Sequence, residues 1–417
     1  MPRKPIGRRA ITDRSRADRD CPDSGRETDF HTTGIPVLHR SPDVRESVVH
    51  FILPGRRFIF LAVHSLAKDT MRALLKSAPG VGMELVDRPV PTIGAHDVLI
   101  KVHHAGVCGT DLHIWEWDAW AAGRLKPPVV IGHEFAGEVA DLGPAALAEG
   151  IFAVGDRVTA EGHVICGHCV PCRTGNGHLC VRTSIIGVDR DGAFADYIAM
   201  PASNVMHLDG IPTDIGAIMD PIGNAVHTAL EGGDVAGSTA LVIGCGPIGC
   251  FAVGVLRAAG ASLVIASDLN PTRRTLAEKM GAHHTLDPRE HDVVARARDL
   301  TSGLGVDLVC EMSGHPSGHS TAFAAARPGG RVNLLGTPSR TTEVDFARDV
   351  IFKGLVLYGV TGRKMYSTWI HMMRLLQSGQ FDPRPVVTHR FPLERIADAI
   401  GVIKDGSAGK VILEVAG

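Results

Sequence analysis

The rhythm of apolar and polar positions changes twice along this 417-residue chain. Residues 1–70 mix Arg with Asp and Glu, and no helical or strand period is sustained before a short apolar patch. They are expected to form a poorly ordered extension, with the recognisable folded chain beginning at Met71. The patch itself, VVHFILPGRRFIFLAVHSLA, is interrupted by Pro54, Gly55, Arg56 and Arg57, short of the ~20 continuous apolar residues that a spanning helix needs. No membrane partner is therefore expected. A mitochondrial targeting segment is not expected either, because Asp13, Asp18, Asp20, Asp23 and Glu27 interrupt the basic stretch.

From 71 to 222 the pattern is short-stranded and turn-rich, as in VVIGHEFAGEVADLG and GAFADYIAMPASNV, which predicts a β-rich domain. Between 223 and 365 the texture becomes that of an α/β domain. Apolar strands (TALVIG, LVIASD, VDLVCEM, RVNLLG) alternate with helical segments such as CFAVGVLRAAG and NPTRRTLAEKMGA, predicting a doubly wound parallel sheet covered on both faces. Residues 366–417 end in a further apolar strand that is expected to return to the first domain.

Composition narrows the function. Hydrophobic residues at 44% and charged residues at 21% are ordinary globular usage, and the net charge of −2 offers no concentrated basic surface for nucleic acid or anionic lipid. The expected ligand is a small molecule. Nine cysteines, an odd number with Cys21, Cys108, Cys245, Cys250 and Cys310 scattered, do not read as a secreted disulfide framework, so a reducing, cytoplasmic setting is expected.

Four of the nine thiols, Cys166, Cys169, Cys172 and Cys180, fall within ICGHCVPCRTGNGHLC. Three closely spaced thiolates and a returning fourth can close a tetrahedral Cys₄ sphere, leaving no position for substrate, so this zinc would hold a loop. Gly244, Gly246 and Gly249 form G-x-G-x-x-G between the strand TALVI and the helix CFAVGVLRAAG. There they permit a tight turn, backbone approach to a pyrophosphate and helix–strand packing. Asp268 ends the next strand about twenty residues on, where its carboxylate can accept from ribose hydroxyls and repel a 2′-phosphate; NAD is expected over NADP, although nearby Arg273 could accept a phosphate.

Cys108 in CGTDLH and His133-Glu134 in IGHEFAGEV bring a thiol, an imidazole and a carboxylate from separate segments, the donor set of an open catalytic zinc. Glu134 either binds the metal or orients His133. Asp220, in MDPIGNAVHTAL, is a candidate for the metal's open side or else a helix-terminal acid. Thr110 and His113 follow Cys108 closely enough to relay a proton from an alcohol to solvent.

With these stretches assembled, the chain from Met71 onward resembles the zinc-containing medium-chain alcohol dehydrogenases, through CGTDLHIWEWDAW, GHEFAGEV, the Cys₄ lobe, DPIGNAVHTAL, GCGPIG, IFKGL and GKVIL. The resemblance implies a GroES-like catalytic domain over 71–222 and 366–417, a Rossmann domain over 223–365, an active site between them and a homotetramer. It also implies two zinc ions per subunit: Cys108, His133 and Glu134 on the catalytic one, the four clustered cysteines on the structural one. Thr110 and His113 would be the relay, and Asp220 the site acid. NAD would meet Ile248, Asp268, Arg273, Leu335, Gly336, Thr337, Val360 and Thr361.

The implied reaction is hydride transfer from a secondary alcohol to NAD, the substrate being a small hydroxy-amino acid. Glu161 and His163 are candidates for meeting its charged groups, and Trp115, Trp117 and Trp120 either wall the cleft or pack. A polyol or butanediol dehydrogenase is the rival reading. A non-catalytic, zinc-stabilised NAD-binding protein is another, which would leave Cys108, Thr110, His113, His133 and Glu134 without purpose.

Overall fold

The computed structural model describes residues 44–51, 59–66, 69–338 and 340–415. Of the extension expected over 1–70, the described part is an antiparallel pair, Val44–Phe51 with Ile59–Leu66, and the start of the strand Thr70–Lys76. The rest lies outside the described residues. No helix among them is long and apolar enough to cross a membrane.

The β-rich half is organised by one long strand, Asp97–Val107, seven of whose eleven residues are buried. It pairs antiparallel with Glu134–Leu142 on one side and with Tyr197–Pro201 and Lys410–Glu414 on the other. Through Lys410–Glu414 the end of the chain enters this sheet, and Val387–Pro392 follows it in parallel. Val98, Ile100, Val102, Val107, Phe135, Val139 and Val411 fill the core behind it.

The second sheet has six strands, β1 (Thr239–Ile243), β2 (Leu263–Ser267), β3 (His284–Leu286), β4 (Val306–Glu311), β5 (Ala326–Leu334) and β6 (Val356–Gly359). All neighbours are parallel, in the order β3-β2-β1-β4-β5-β6. That is the dinucleotide-binding order, 3-2-1-4-5-6. The direction of winding reverses between β1 and β4, where their carboxyl ends leave a crevice. Near-continuous apolar runs such as LVIAS suit strands covered on both faces.

The helices Met219–Leu230 and Pro247–Ala258 bury most of their residues. They belong to an apolar cluster that also takes in Ala136 and Ile412 of the mixed sheet, Leu208 just past its edge strand, and Trp369. The two sheets therefore share one core. The helix Met219–Leu230 crosses this junction with Asp220 at its amino end.

Candidate active site

Cys108 terminates the central strand and stands at the start of the helix Gly109–Glu116. Its N–H donates to Asp111 Oδ2 at 2.8 Å, which fixes the turn that aims the thiol. On the adjacent strand Glu134 is paired with Gly106, so His133 and Glu134 come level with Cys108. A Cβ on Gly106 would lie 2.1 Å from Glu134 Oε2; only glycine lets that carboxylate cross the strand.

Cys108, His133 and Glu134 each offer a ligand atom, and these atoms lie within 4.8 Å of one another. His133 Nδ1 and Glu134 Oε1 are buried without a hydrogen-bond partner among the described residues, and Glu134 Oε2 faces the Lys410 ammonium. Leaving such groups unsatisfied costs about 1–3 kcal/mol each, more when charged, and a divalent cation among them removes the cost for all. The donors fit zinc. Burial opposes a charge on His133, but Cys108, Asp111 and Asp220 outweigh it and raise its pKa to about 10; the pocket is rich in negative charge and calls for a cation.

Lys410, which gave no motif in the sequence, sits 2.5 Å from Glu134 Oε2 and donates to Val107 O at 2.7 Å. Both it and Glu134 are almost fully buried. The one signal for it was a lysine inside the apolar strand KVILE, since lysines are rarely buried unless paired.

A second charge network lies beside the first. Arg363, 2% exposed, is forked onto Glu161, with Nε donating to Oε2 at 2.8 Å and Nη2 to Oε1. Its Nη1 is 2.7 Å from Asp220 Oδ2. Trp369 Nε1 and the His163 N–H also donate to Glu161, at 2.8 and 2.9 Å. The expectation that Glu161 meets a substrate is therefore corrected: it has no exposed surface, and these three partners occupy it. His163 keeps some exposure, 22% of its side chain. Arg363 was missed because it lies 202 residues from Glu161, in a segment with no motif.

Thr110 Oγ1 is 3.8 Å from Cys108 Sγ. His113, one turn further on, is exposed and holds Asp118 Oδ2 at 2.6 Å through Nδ1. No hydrogen bond joins Thr110 to His113 among the described residues; Asp118, unassigned from sequence, is the partner the ring has. Of the tryptophans, Trp115 and Trp117 pack on the core, with Lys76 Nζ 5.2 Å from the Trp117 ring centroid. Trp120 stays exposed, its ring 6.0 Å from that of His113.

Cys166, Cys169, Cys172 and Cys180 converge as expected, with neighbouring sulfurs 3.4 to 3.8 Å apart. Four thiolates about 2.3 Å from one ion stand about 3.8 Å apart at the tetrahedron's edges. Disulfide sulfurs are about 2.05 Å apart, and all the described cysteines are free thiols. The lobe fits zinc.

The glycine loop leaves β1 with Gly244 at φ +89° and enters the helix Pro247–Ala258, where Ile248 is partly buried. Asp268 follows β2, and its Oδ2 accepts from the Cys245 N–H at 2.7 Å and its Oδ1 from the Asn270 N–H at 2.8 Å. That carboxylate is thus fixed against the glycine loop. Arg273 lies in the next helix, its Nε buried and unpartnered. Leu335, Gly336 and Thr337 follow β5, and Val360 and Thr361 follow β6. All of them sit at carboxyl ends of the strands, the side on which this fold binds ligands. A polar cavity lined by Asp234, Asp307, Arg327, Arg331 and Tyr358 opens at the amino ends, the wrong side for a dinucleotide.

A Cβ on Gly249 would lie 2.0 Å from the Gly244 carbonyl oxygen. Gly249→Ala is therefore expected to cost about 1–3 kcal/mol of stability and to weaken dinucleotide binding about tenfold or more. Thermal unfolding and a fluorescence titration with NADH check both.

Comparison with known proteins agrees with this geometry. The family model for the alcohol dehydrogenase GroES-like domain matches residues 94–210, and that for zinc-binding dehydrogenases matches 247–378. The chain is 48% identical over 347 residues to the L-threonine 3-dehydrogenase of Symbiobacterium thermophilum, covering 83% of this chain and 98% of that protein. Among solved structures it is similar to 2R,3R-butanediol dehydrogenase from Bacillus subtilis, with 28% identity, a TM-score of 0.75 and coverage of 83% of this chain and 100% of that one. It is also similar to a short chain alcohol dehydrogenase from E. coli CFT073 complexed with NADH, at 28% identity and a TM-score of 0.75, covering 84% and 100%.

Proposed function

Since the chain belongs to the zinc-binding, GroES-like alcohol dehydrogenases, we propose that it oxidises the 3-hydroxyl of L-threonine to 2-amino-3-oxobutanoate with NAD as acceptor. The observation that carries the reading is the convergence of Cys108, His133 and Glu134, with His133 Nδ1 and Glu134 Oε1 buried and unpartnered, in a chain 48% identical to an L-threonine 3-dehydrogenase.

A zinc held by those three residues, with one position free, would supply Lewis acidity toward the alcohol oxygen. The remaining work falls to the protein. Thr110, beside the Cys108 sulfur, takes the hydroxyl proton and passes it toward His113, whose Nδ1 is engaged by Asp118 and whose exposed ring delivers it to solvent. Arg363 holds Asp220 at the edge of the donor set. A dinucleotide held along the loop of Gly244, Gly246 and Gly249 would supply the acceptor for the hydride of the hydroxyl-bearing carbon. Asp268, locked against the glycine loop, favours NAD over NADP by accepting from ribose hydroxyls.

Two separate donor sets support two zinc ions per subunit, and the free thiols of the lobe suit the cytoplasm. A homotetramer is supported by β6, which pairs only with β5 among the described strands. In the segment that leads into this strand Phe346, Ile351 and Phe352 are 61%, 67% and 84% exposed, apolar surface of the kind that self-association covers.

The purified protein is expected to reduce NAD on L-threonine with a kcat/KM about 10²-fold or more above that on sorbitol or 2,3-butanediol. The same sample should carry two zinc ions per chain and scatter light as four chains. Turnover of butanediol equal to that of threonine would move the assignment to the polyol and diol branch.

A further inference from the structure

We propose that Glu311 is a positioning residue for the dinucleotide: from beneath the crevice it braces the turns that follow β4 and β5, and through them the turn that follows β1. Glu311 is the last residue of β4 and has no exposed surface. Its Oε1 accepts from the Ser313 N–H at 3.0 Å and from the Ser313 hydroxyl, and its Oε2 accepts from the Gly314 N–H at 3.2 Å. Its own carbonyl oxygen accepts from the N–H groups of Leu335 and Gly336, at 3.0 and 3.1 Å. One residue thus ties down both the turn after β4 and the turn after β5.

The turn after β1 rests on the same assembly. A Cβ on Gly244 would lie 2.8 Å from the Ser313 nitrogen, so Ser313 forms the wall against which the first glycine of the loop packs. On the far side the carboxylate has His319, with Nε2 3.6 Å from Oε2. Glu311 needs acceptors on both oxygens, because donors approach both. A glutamine of the same shape presents N–H on one side, sets donor against donor, and lets the turn shift.

The inference rests on the dinucleotide reading of this crevice and not on the identity of the alcohol. Its test is binding. Glu311→Gln is expected to raise the NADH dissociation constant by ~10- to 100-fold, with zinc content and the Michaelis constant for the alcohol unchanged. Without cofactor, the amides of Ser313 and Gly314 should exchange hydrogen faster than in the wild type. Should that variant not fold, Ser313→Ala, which removes the hydroxyl that donates to the same carboxylate and accepts from the His315 N–H at 3.1 Å, is read by the same two measurements.

An NADH affinity within twofold of wild type overturns the proposal. So does weaker binding without faster exchange, which would make Glu311 a direct contact. Wild-type protein that binds no NADH refutes the dinucleotide reading itself, a separate outcome.

Discussion

Cys108→Ser protein is expected to lose one of two zinc ions and to oxidise alcohol more than about 10³-fold more slowly, while the lobe of Cys166, Cys169, Cys172 and Cys180 keeps its own ion. Serine is isosteric and caps a helix start well, and the Cys108 N–H can still donate to Asp111, so the turn should survive. What is lost is a soft, anionic donor; a neutral hydroxyl is a poor zinc ligand at neutral pH. Lewis-acid stabilisation supplies several kcal/mol to a transition state, and each 1.36 kcal/mol is tenfold in rate. Metal analysis with steady-state kinetics decides it: full activity, or loss of both ions, would remove Cys108 from the proposed role.

Arg363→Leu should destabilise the fold by about 3–5 kcal/mol, the usual cost of removing one partner from a buried charge pair. It leaves both Glu161 and Asp220 facing an apolar side chain. Arg363→Lys should cost less but not recover fully, because an ammonium cannot reproduce the fork onto Glu161. A Glu161→Gln, Arg363→Leu double variant should recover part of the loss, since one of the two stranded charges is gone. Chemical denaturation measures these three together with Glu161→Gln alone, and additive effects of Glu161→Gln and Arg363→Leu would mean the pair is uncoupled.

The same pair gives a pH dependence of known sign. Burial alone would raise the Glu161 pKa, but Arg363 and His163 outweigh it and hold it well below the usual carboxylate range. A folded-state pKa below the unfolded value gives stability that is fully present above the unfolded pKa of about 4.3. It is lost as the pH falls from there through the folded value. In Arg363→Leu this part of the acid dependence should weaken or disappear.

The parts of the site that could be read from sequence are those closed by neighbours in the chain. The Cys₄ lobe spans 15 residues from Cys166 to Cys180, and the glycine loop is bounded by its own strand and helix, so spacing alone carried the chemistry. The parallel, doubly wound character of the second sheet likewise followed from regular alternation of apolar strand and helix, whereas its strand order came only with the structure. What escaped was the distant partner of each local group. Lys410 meets a carboxylate at position 134, and Arg363 meets acids at positions 161 and 220; neither lies in a periodic pattern that points to its partner. Glu161 was misjudged for that reason: an acid ahead of a metal lobe looks available until a guanidinium from the far end of the chain occupies it. Asp118 was overlooked because an aspartate before a short helix also reads as an ordinary cap, which it is as well.

Lys410 reaches Val107 O across 303 residues of chain, and its strand fills the gap between Asp97–Val107 and Val387–Pro392. At synthesis rates of ~5–20 residues per second, this strand leaves the ribosome roughly 15 to 60 s after the strand it completes. Throughout that interval the growing polypeptide carries Cys108, His133 and Glu134 with their balancing ammonium not yet made and one flank of the central strand open at its Cys108 end. Protection of that open flank during translation is thus a demand that this topology places on the cell.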